Sequence, residues 1–465
     1  MAPSHSSLLL GLLTVPLASA LMPLSMLRRS PQKQVRAYFR REDSTSALSI
    51  RLAAILKHNP SLQKPRYVPT PWARGSKANF ALALARSRLG ALRRRVEPPL
   101  TGRVTTCDSP DVTIEWAKDD AALALPADAP VVIFLHTITG SAAQTRWQMG
   151  QASARGWRSC TFVRRGHGDA MLTSPTFNLL GDVGDTELQV SPPQRPYLLR
   201  PRPVSDAATP SVKPGSTVTT LNLTPITPLL QFMQVAAVRR TYPDAFLGMV
   251  GVSAGSGLLV SYLGRAGAST PIGAACAICP AWDVSVAFDN LAEEEPETTK
   301  LMIDTIKAKF VTRNVALLRA WDPAATAACL AAETMPQMLA AHAPFAMRDR
   351  TASVADYFAA HNPMEYRKGV AVPTLLLNAE DDFVCPARNV RPELVAQEQP
   401  GTLLLVTRSG SHCAFNEGVL GGGSFHTRIS FDFLDAAKAT AGAAVTEAMP
   451  ESVGRASERV AVVGN

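Results

Sequence analysis

A serine between two glycines is the part of this sequence with the clearest chemical potential. Residues 251–255 read G-V-S-A-G, after an apolar run at residues 246–252 and before an apolar, turn-free segment at residues 258–263. This order predicts a strand, a sharp turn and a helix, with small residues that let neighbouring backbone pass close to the turn. Such a turn exposes the serine hydroxyl and directs the amide of Ala254 at the same point, beside a helix N-terminus. The pattern is common by chance, so a glycine-rich turn without chemistry stays open until partners are found.

The serine needs two partners, which the sequence offers further along the chain. A serine hydroxyl is a weak nucleophile at neutral pH and needs a base, normally a histidine held in the right tautomer by a carboxylate. Asp382 lies in a loop after the apolar run at residues 374–377, and His412 lies in a loop after the run at residues 402–406. Because the carboxyl ends of parallel strands meet at one edge of a sheet, we expect both side chains to lie near Ser253.

Both partners have competitors in the sequence. Asp381 stands beside Asp382, and we prefer Asp382 because Pro386 follows it by four residues, a spacing seen in many serine hydrolases. Both aspartates could instead cap a turn or a helix. Among the eight histidines, only His412 and His426 follow both the serine and the acid, and His426 comes after a glycine-rich loop rather than a strand. The order serine, acid, histidine therefore favours His412 as the base.

Acyl chemistry also needs two backbone N–H groups directed at the carbonyl oxygen on which negative charge develops. Ala254 is expected to supply one of them. The loop H-T-I-T-G at residues 136–140 follows a solidly apolar run and is expected to supply the other, most directly from Ile138. Arg164 and His167 lie on a further loop close by in the sheet and could shape this site, although structural roles are also open to them.

The segments between these residues predict how they are positioned. Predicted strands at residues 131–135 and 159–163 flank a predicted helix at residues 144–155, and this alternation predicts an α/β protein with a mostly parallel, doubly wound sheet. Residues 293–349 have helical pattern and no strand, which predicts a helical cap over the site. Residues 191–215 are rich in proline and basic side chains, and we expect a surface insertion there.

Composition limits the class of protein. A chain of 465 residues with 46% hydrophobic residues can form one large α/β domain or two smaller ones. Its seven cysteines are scattered and odd in number, so no disulfide framework is implied, and Cys276 and Cys279 fit small core residues better than a metal or redox site. The net charge of +9 comes without aromatic residues interleaved among the basic clusters, so we expect no nucleic acid and favour a membrane surface as the partner. No metal or organic cofactor is expected.

The N-terminal region carries the signals of localisation. Residues 8–27 are mostly apolar, A-S-A at residues 18–20 resembles a signal-peptidase site, and basic residues follow the run rather than precede it. We expect a signal anchor or a cleaved leader, and a membrane-associated protein of the endomembranes or an organelle. The predicted organisation is a leader or anchor at 1–27, a basic linker at 28–66, the main domain at 67–437 and a disordered tail at 438–465.

Taken together, these pieces resemble a known family. The matching stretches include W-A-R-G at residues 72–75, L-H-T-I-T-G at 135–140, R-R-G at 164–166, L-T-S-P at 172–175, G-V-S-A-G at 251–255, the segment 378–386 and S-H-C-A-F at 411–415. On these residues the chain is similar to α/β-hydrolases of the YheT-like subfamily (AB hydrolase family 4), which includes membrane-associated esterases. The resemblance implies an α/β-hydrolase fold with a nucleophile elbow and a cap, a triad of Ser253, Asp382 and His412, and hydrolysis of lipid-like or medium-chain carboxylic esters, such as those of acylglycerols and phospholipids.

One position departs from the family pattern, and other functions stay open. The family usually has glycine where this chain has Thr137, and a β-branched residue resists positive φ, so the departure predicts a reshaped oxyanion hole or weak activity. The first alternative is an alcohol O-acyltransferase, or ester synthase, that uses the same triad. The second is a non-catalytic, lipid-binding pseudo-hydrolase in which Thr137 has spoiled the oxyanion hole.

Overall fold

The computed structural model describes residues 34–40, 46–73, 75–93, 101–106, 112–183, 186, 236–442 and 460–463. The expected leader at 1–27 and the expected insertion at 191–215 lie outside these residues.

A mostly parallel sheet of ten strands forms the centre of the described chain. Its strands are β1 (Val35–Arg40), β2 (Thr101–Thr106), β3 (Thr113–Ala117), β4 (Val131–Leu135), β5 (Arg158–Val163), β6 (Leu247–Val252), β7 (Ile272–Ile278), β8 (Thr374–Ala379), β9 (Thr402–Thr407) and β12 (Val460–Val463); the pair β10 (Asn416–Glu417) and β11 (Gly423–Ser424) is separate. The spatial order is β12-β1-β9-β8-β7-β6-β4-β5-β3-β2. Strands β4 to β9 are parallel to one another, and the outer strands join antiparallel.

The sheet winds in two directions from β4. The chain steps from β4 to β5 on one side and then returns to place β6 on the other side of β4. In open α/β sheets, ligands bind outside the carboxyl ends of the strands at such a switch point. The loop after β4 and the turn after β6 meet there, so the topology alone brings the 136–140 loop beside Ser253.

Helices cover both faces of this sheet. They are α1 (Ala47–His58), α2 (Ser76–Arg93), α3 (Asp120–Leu123), α4 (Ala142–Ala154), α5 (Ala236–Thr241), α6 (Ala254–Ala266), α7 (Val284–Glu294), α8 (Pro296–Ile306), α9 (Val315–Trp321), α10 (Pro323–Ala331), α11 (Met335–Met347), α12 (Val354–His361), α13 (Pro392–Glu398) and α14 (Phe425–Thr440). Helices α1, α4 and α14 share one buried apolar cluster, and α5, α6 and α13 share another. Successive strand residues alternate between the two, since Leu375 and Leu377 lie in the first cluster and Leu376 in the second. The predicted fold class, an α/β-hydrolase fold with a mostly parallel, doubly wound sheet, is confirmed.

A helical layer lies over the carboxyl edge of the sheet and has its own apolar cluster. It runs from α7 to α11, with a π-helical segment at Lys307–Thr312 between α8 and α9. The layer begins at Val284, whereas the sequence predicted a cap that begins at residue 293. Asp283 caps the start of α7, because its carboxylate accepts hydrogen bonds from the amides of Ser285 (2.9 Å) and Val286 (3.4 Å). Ile138 belongs to its buried cluster, so the layer contacts the loop after β4.

The N-terminal segment differs from the predicted basic linker at 28–66. Strand β1 pairs antiparallel with β9, and α1 contributes Leu52, Ile55 and Leu56 to the core. These three positions have helical spacing, but basic residues around them conceal the apolar stripe in the sequence. The main domain therefore includes residues before 67.

The predicted disordered tail at 438–465 also differs in part from the structure. Helix α14 continues to Thr440, and β12 pairs antiparallel with β1 at the edge of the sheet. A four-residue strand that pairs with a partner more than four hundred residues earlier leaves no periodic signal in the sequence.

Candidate active site

Ser253 sits on a sharp turn between β6 and α6. Its backbone has φ 55° and ψ −122°, a conformation that L-residues rarely adopt, and its amide donates to the carbonyl oxygen of Ile278 at 2.9 Å. A Cβ at Gly251 would overlap the carbonyl oxygen of Gly255, and a Cβ at Gly255 would overlap that of Leu135. The two glycines are therefore required by close backbone approach, as the sequence pattern indicated.

Ser253, His412 and Asp382 form a continuous chain of hydrogen bonds. The Oγ atom of Ser253 lies 2.8 Å from Nε2 of His412. The Nδ1 atom of His412 lies 3.0 Å from each carboxylate oxygen of Asp382. Asp382 is only 3% exposed. This geometry can pass a proton from the serine hydroxyl to a histidine whose second nitrogen is held by a carboxylate.

The two neighbouring aspartates have different partners. Asp382 Oδ1 also accepts hydrogen bonds from the amides of Val384 and Cys385, both at 2.8 Å, which fix the carboxylate beside the imidazole. Asp381 Oδ1 accepts from the amide of Ser411 at 2.8 Å and so holds the loop that carries His412. Of the two, Asp382 alone hydrogen-bonds the histidine.

The environment of His412 favours its charged form. Burial by itself lowers the pKa of His412, but the charge of Asp382 and the hydrogen bond to it outweigh burial and hold that pKa well above its ordinary value. The competing His426 has a different partner: its Nδ1 is 2.9 Å from Ser424 Oγ at the start of α14. The structure thus brings His412, rather than His426, to Ser253.

The two expected oxyanion donors border the same cavity as Ser253. Ile138 and Ala254 both line it. Among the turn and loop hydrogen bonds of the described residues, none is donated by the amide of Ile138 or of Ala254 to a backbone carbonyl. Ala254 opens α6, where the first amides have no partner inside the helix. The expectation that these two amides bind an oxyanion stays a prediction.

Three successive carbonyls of the loop after β4 are contacted by basic side chains. Arg164 Nη2 donates to the carbonyl oxygen of Thr137 at 2.6 Å, and Lys309 Nζ donates to that of Thr139 at 2.6 Å. Between them, His167 Nε2 lies 3.0 Å from the carbonyl oxygen of Ile138. In a trans peptide the C=O and the next N–H point in opposite directions, so a fixed Thr137 carbonyl directs the Ile138 N–H away from Arg164.

Arg164 is an uncommon core residue. It is 3% exposed, and no carboxylate among the residues that the structure describes forms an ion pair with it. Burial lowers the pKa of its guanidinium to about 9, and burial lowers the pKa of neighbouring His167 to about 3. At neutral pH the arginine is therefore the charged member of this pair, and it lies directly behind the Thr137–Ile138 peptide.

Thr137 does not disturb the loop in the way its β-branched side chain suggested. It is not among the described residues that adopt positive φ, and its Oγ1 donates to Gln144 Oε1 at 3.0 Å. Glycine at this position is thus not required by the backbone angle. The reshaped oxyanion hole or weak activity expected from Thr137 stays a prediction.

The cavity that contains Ser253 has a mainly apolar lining. It has a volume of about 390 Å³ and reaches from Ser253 to side chains of α2, α7 and α8. Lys, Arg, Asp and Glu are absent from the described residues that line it. Burial lowers the pKa of His361 and of His426 to about 4, so these two lining histidines are neutral at pH 7.

Three cysteines at the site were not predicted to lie there. Cys279, Cys385 and Cys413 all line the cavity, in the loops that follow β7, β8 and β9. Each cysteine follows an apolar run in the sequence. The same signal identified Asp382 and His412, and it could have placed these cysteines at the site. Burial raises the pKa of the Cys279 and Cys413 thiols, so they are protonated at neutral pH and are weaker nucleophiles than thiolates.

Comparisons with known proteins give distant relatives. No protein-family model matches the chain. It is 28% identical over 200 residues to the Mus musculus protein named phospholipase ABHD3, which is 39% of this chain and 43% of that protein. It is 25% identical over 198 residues to the Saccharomyces cerevisiae medium-chain fatty acid ethyl ester synthase/esterase 2, covering 38% of this chain and 43% of that protein. The chain spans less than half the length of these two relatives.

Two further similarities cover more of the chain. The Picea glauca embryogenesis-associated protein EMB8 is 23% identical over 339 residues, which is 67% of this chain and 60% of that protein. Among solved structures, an esterase from Pyrococcus furiosus has a TM-score of 0.39 and 15% identity, covering 72% of this chain and 90% of that chain. The order of the strands, the serine on the turn after β6 and these sequence relatives together place the chain in the α/β-hydrolase superfamily.

Proposed function

We propose that this chain is a carboxylic ester hydrolase with Ser253 as its nucleophile, His412 as the general base and Asp382 as the residue that orients His412. The observation that carries this proposal is the unbroken hydrogen-bond path from Ser253 Oγ through His412 to Asp382, with distances of 2.8 Å and 3.0 Å. The strained turn at Ser253 adds support, because such conformations concentrate at active sites.

The geometry supports a two-step acyl transfer. Ser253 Oγ attacks the ester carbonyl carbon while its proton passes to His412 Nε2. The tetrahedral intermediate collapses, and the leaving alkoxide takes that proton from His412. Water then attacks the acyl-enzyme and gives a proton to His412. As the second tetrahedral intermediate collapses, the acid leaves and His412 returns that proton to Ser253 Oγ. The imidazolium formed in each step is stabilised by the carboxylate of Asp382.

The amides of Ile138 and Ala254 stabilise the oxyanion in this proposal. Removal of one such donor typically lowers kcat about 10²–10³-fold, so the orientation of these amides matters. Arg164 and Lys309 hold the carbonyls on either side of Ile138 and keep the loop in place.

The cavity favours uncharged, lipid-like acyl esters as substrates. Lys, Arg, Asp and Glu do not occur among the described residues of its lining, and burial of a charged headgroup without a partner would be strongly unfavourable. Leu84 and Leu301 line the cavity and are 37% and 58% exposed, so they offer apolar contact at its mouth. Medium-chain esters and acylglycerols fit this lining, and a phospholipid fits if its headgroup stays outside the cavity. The finer YheT-like assignment is also a proposal, and it rests on the motifs named above.

Acyl transfer to an alcohol is a second candidate. The relative named ethyl ester synthase/esterase supports it, and the same acyl-enzyme would serve both reactions. Added ethanol distinguishes them: synthesis of ethyl ester faster than release of acid would favour the synthase, and release of acid alone would favour the hydrolase.

Membrane association and a location in the endomembranes or an organelle remain proposals that rest on the apolar segment 8–27. No helix in the described part of the chain is both long enough and apolar enough to span a bilayer. Fractionation of cells that express the full chain, beside a variant that lacks 1–27, tests this: recovery of both in the soluble fraction would overturn it.

Hydrolysis of p-nitrophenyl esters of graded chain length tests the activity. We expect turnover by the full chain that rises toward medium acyl lengths, and loss of that turnover in Ser253→Ala. Binding of a fluorescent fatty-acid ester without turnover would instead support a lipid-binding pseudo-hydrolase.

A further inference from the structure

Two cysteines and the histidine of the site lie close enough together to share a metal ion. Cys279 and Cys413 each contribute Sγ, and His412 contributes a ring nitrogen; these three atoms all lie within 4.8 Å of one another. Two sulfurs and one nitrogen bound to a tetrahedral Zn²⁺ lie about 3.5–3.8 Å apart, given bond lengths near 2.3 and 2.0 Å. Small rotations of the thiols that shorten the distances among the three atoms by about 1 Å would let all three bind one ion.

The contacts of these thiols are long: the amide of Cys413 donates to Cys279 Sγ at 3.4 Å. Cys279 Sγ lies 4.0 Å from the carbonyl oxygen of Ser411, and Cys413 Sγ lies 3.9 Å from that of Ile278, so neither makes a short hydrogen bond to a carbonyl. Both cysteines have positive φ, at 52° and 61°, which fixes the direction of each side chain in the loop where it stands. Both line the cavity that contains Ser253, so a dissolved ion can reach them.

We infer that Cys279, Cys413 and His412 form a site for a soft divalent ion, Zn²⁺ or Cd²⁺, that blocks the reaction reversibly. The alternative group, Asp382 with Cys385 and His412, offers one sulfur and a hard carboxylate, and soft ions prefer two sulfurs. Water or Ser253 Oγ would take the fourth position.

The inhibitory consequence rests on the proposed function, whereas the binding does not. An ion on Nε2 of His412 replaces its contact with Ser253, and an ion on Nδ1 replaces its contact with Asp382. Either bond removes the proton path that the hydrolase needs. Hard ions such as Mg²⁺, which take oxygen ligands, are expected to have no effect.

The binding is tested with the full chain carrying Ser253→Ala, which cannot hydrolyse esters. Cd²⁺ is titrated and followed by calorimetry and by sulfur-to-cadmium charge-transfer absorbance. We expect one ion per chain, and at least about tenfold weaker binding after Cys279→Ala or Cys413→Ala. Cys160→Ala, a buried cysteine in β5 outside this cavity, is the matched control and should bind like the parent.

The binding outcomes decide the metal site independently of the esterase proposal. Thermal unfolding verifies that each variant is folded, and Cys413→Ala, at a half-buried position, carries the test if Cys279→Ala does not fold. Absence of one-to-one binding, or binding that both cysteine variants retain, would overturn the inference. With wild-type chain, Zn²⁺ should abolish ester hydrolysis and EDTA should restore it; hydrolysis that persists at saturating Cd²⁺ would overturn the inhibitory role.

Discussion

At the scale of single residues, two adjacent carboxylates at 381 and 382 have separate tasks. Asp382 contacts the imidazole of His412, and Asp381 holds the backbone of the same loop through Ser411. Strand-end position in the sequence was sufficient to select this pair of aspartates, and the spacing to Pro386 favoured Asp382. Their contacts separate them in the structure.

This difference predicts unequal effects of isosteric substitutions. Asp382→Asn should lower kcat about 10⁴-fold, because an amide favours the wrong tautomer of His412. Asp381→Asn is the matched control and should lower kcat far less, since Ser411 can still donate to an amide oxygen. Steady-state kinetics with a p-nitrophenyl ester measures both, and equal losses in the two variants would contradict these roles.

The environment of His412 predicts where activity falls with acid. The base must be neutral, and its pKa lies well above the ordinary 6.5 because Asp382 outweighs burial. Activity should therefore be lost as the pH falls through a value above 6.5, and be fully present only at higher pH. A profile of kcat/KM against pH, recorded with EDTA present, measures this limb; a midpoint below 6.5 would contradict the described contacts.

Arg164 is predicted to act by positioning the oxyanion loop. Arg164→Lys keeps a charge but loses the guanidinium that donates to Thr137, so we expect kcat to fall about 10²-fold with little change in KM. Lys309→Met tests the same loop from an exposed position and should lower kcat in the same direction. Arg313→Met is the control, because its contacts are to Gly168 and Asp169 instead. Folded Arg164→Lys protein with wild-type kcat would refute the positioning role.

At the scale of elements, apolar runs were enough to predict the central strands. β4, β6, β7, β8 and β9 are mainly apolar segments, as strands buried on both faces must be, whereas β5 contains Arg158, Ser159 and Thr161 beside its apolar residues. The first strand and helix were not predicted, because Arg36, Arg40 and Arg51 lie among their buried positions and give the segment the composition of a linker. In the structure, Arg51 donates to the carbonyl oxygen of Gly273 at 2.9 Å. This basic residue therefore joins α1 to β7.

The role of α1 in the core gives a stability prediction. Leu52 is 2% exposed, whereas Ile50 on the same helix is 46% exposed. Leu52→Ala should therefore lower the free energy of unfolding by about 2–5 kcal/mol, and Ile50→Ala should change it by less than about 0.5 kcal/mol. Denaturant unfolding of the full chain measures both. If the two variants unfold alike, the 46–58 segment does not belong to the domain core.

At the scale of the whole molecule, the winding of the sheet assembles the site. Reversal at β4 puts the 136–140 loop beside the turn at Ser253, and the parallel run to β9 adds the loops that carry Asp382 and His412. This assembly follows from the strand order. The sequence predicted it, because Ser253, Asp382 and His412 each follow an apolar run. The contacts of Arg164 and the thiols of Cys279 and Cys413 did not follow, because they depend on how separate loops meet. The edge strand β12 depends likewise on pairing between the chain's two ends.

Labelling with a fluorophosphonate probe tests the central claim most directly, since the probe reacts with a serine only where a base and an oxyanion hole activate it. The full chain is labelled beside Ser253→Ala and Asp382→Asn, and the modified peptide is identified by mass spectrometry. The account predicts a single label on Ser253, absent from Ser253→Ala and strongly slowed in Asp382→Asn. A folded wild-type chain that takes up no label, or label that persists in Ser253→Ala, would contradict it.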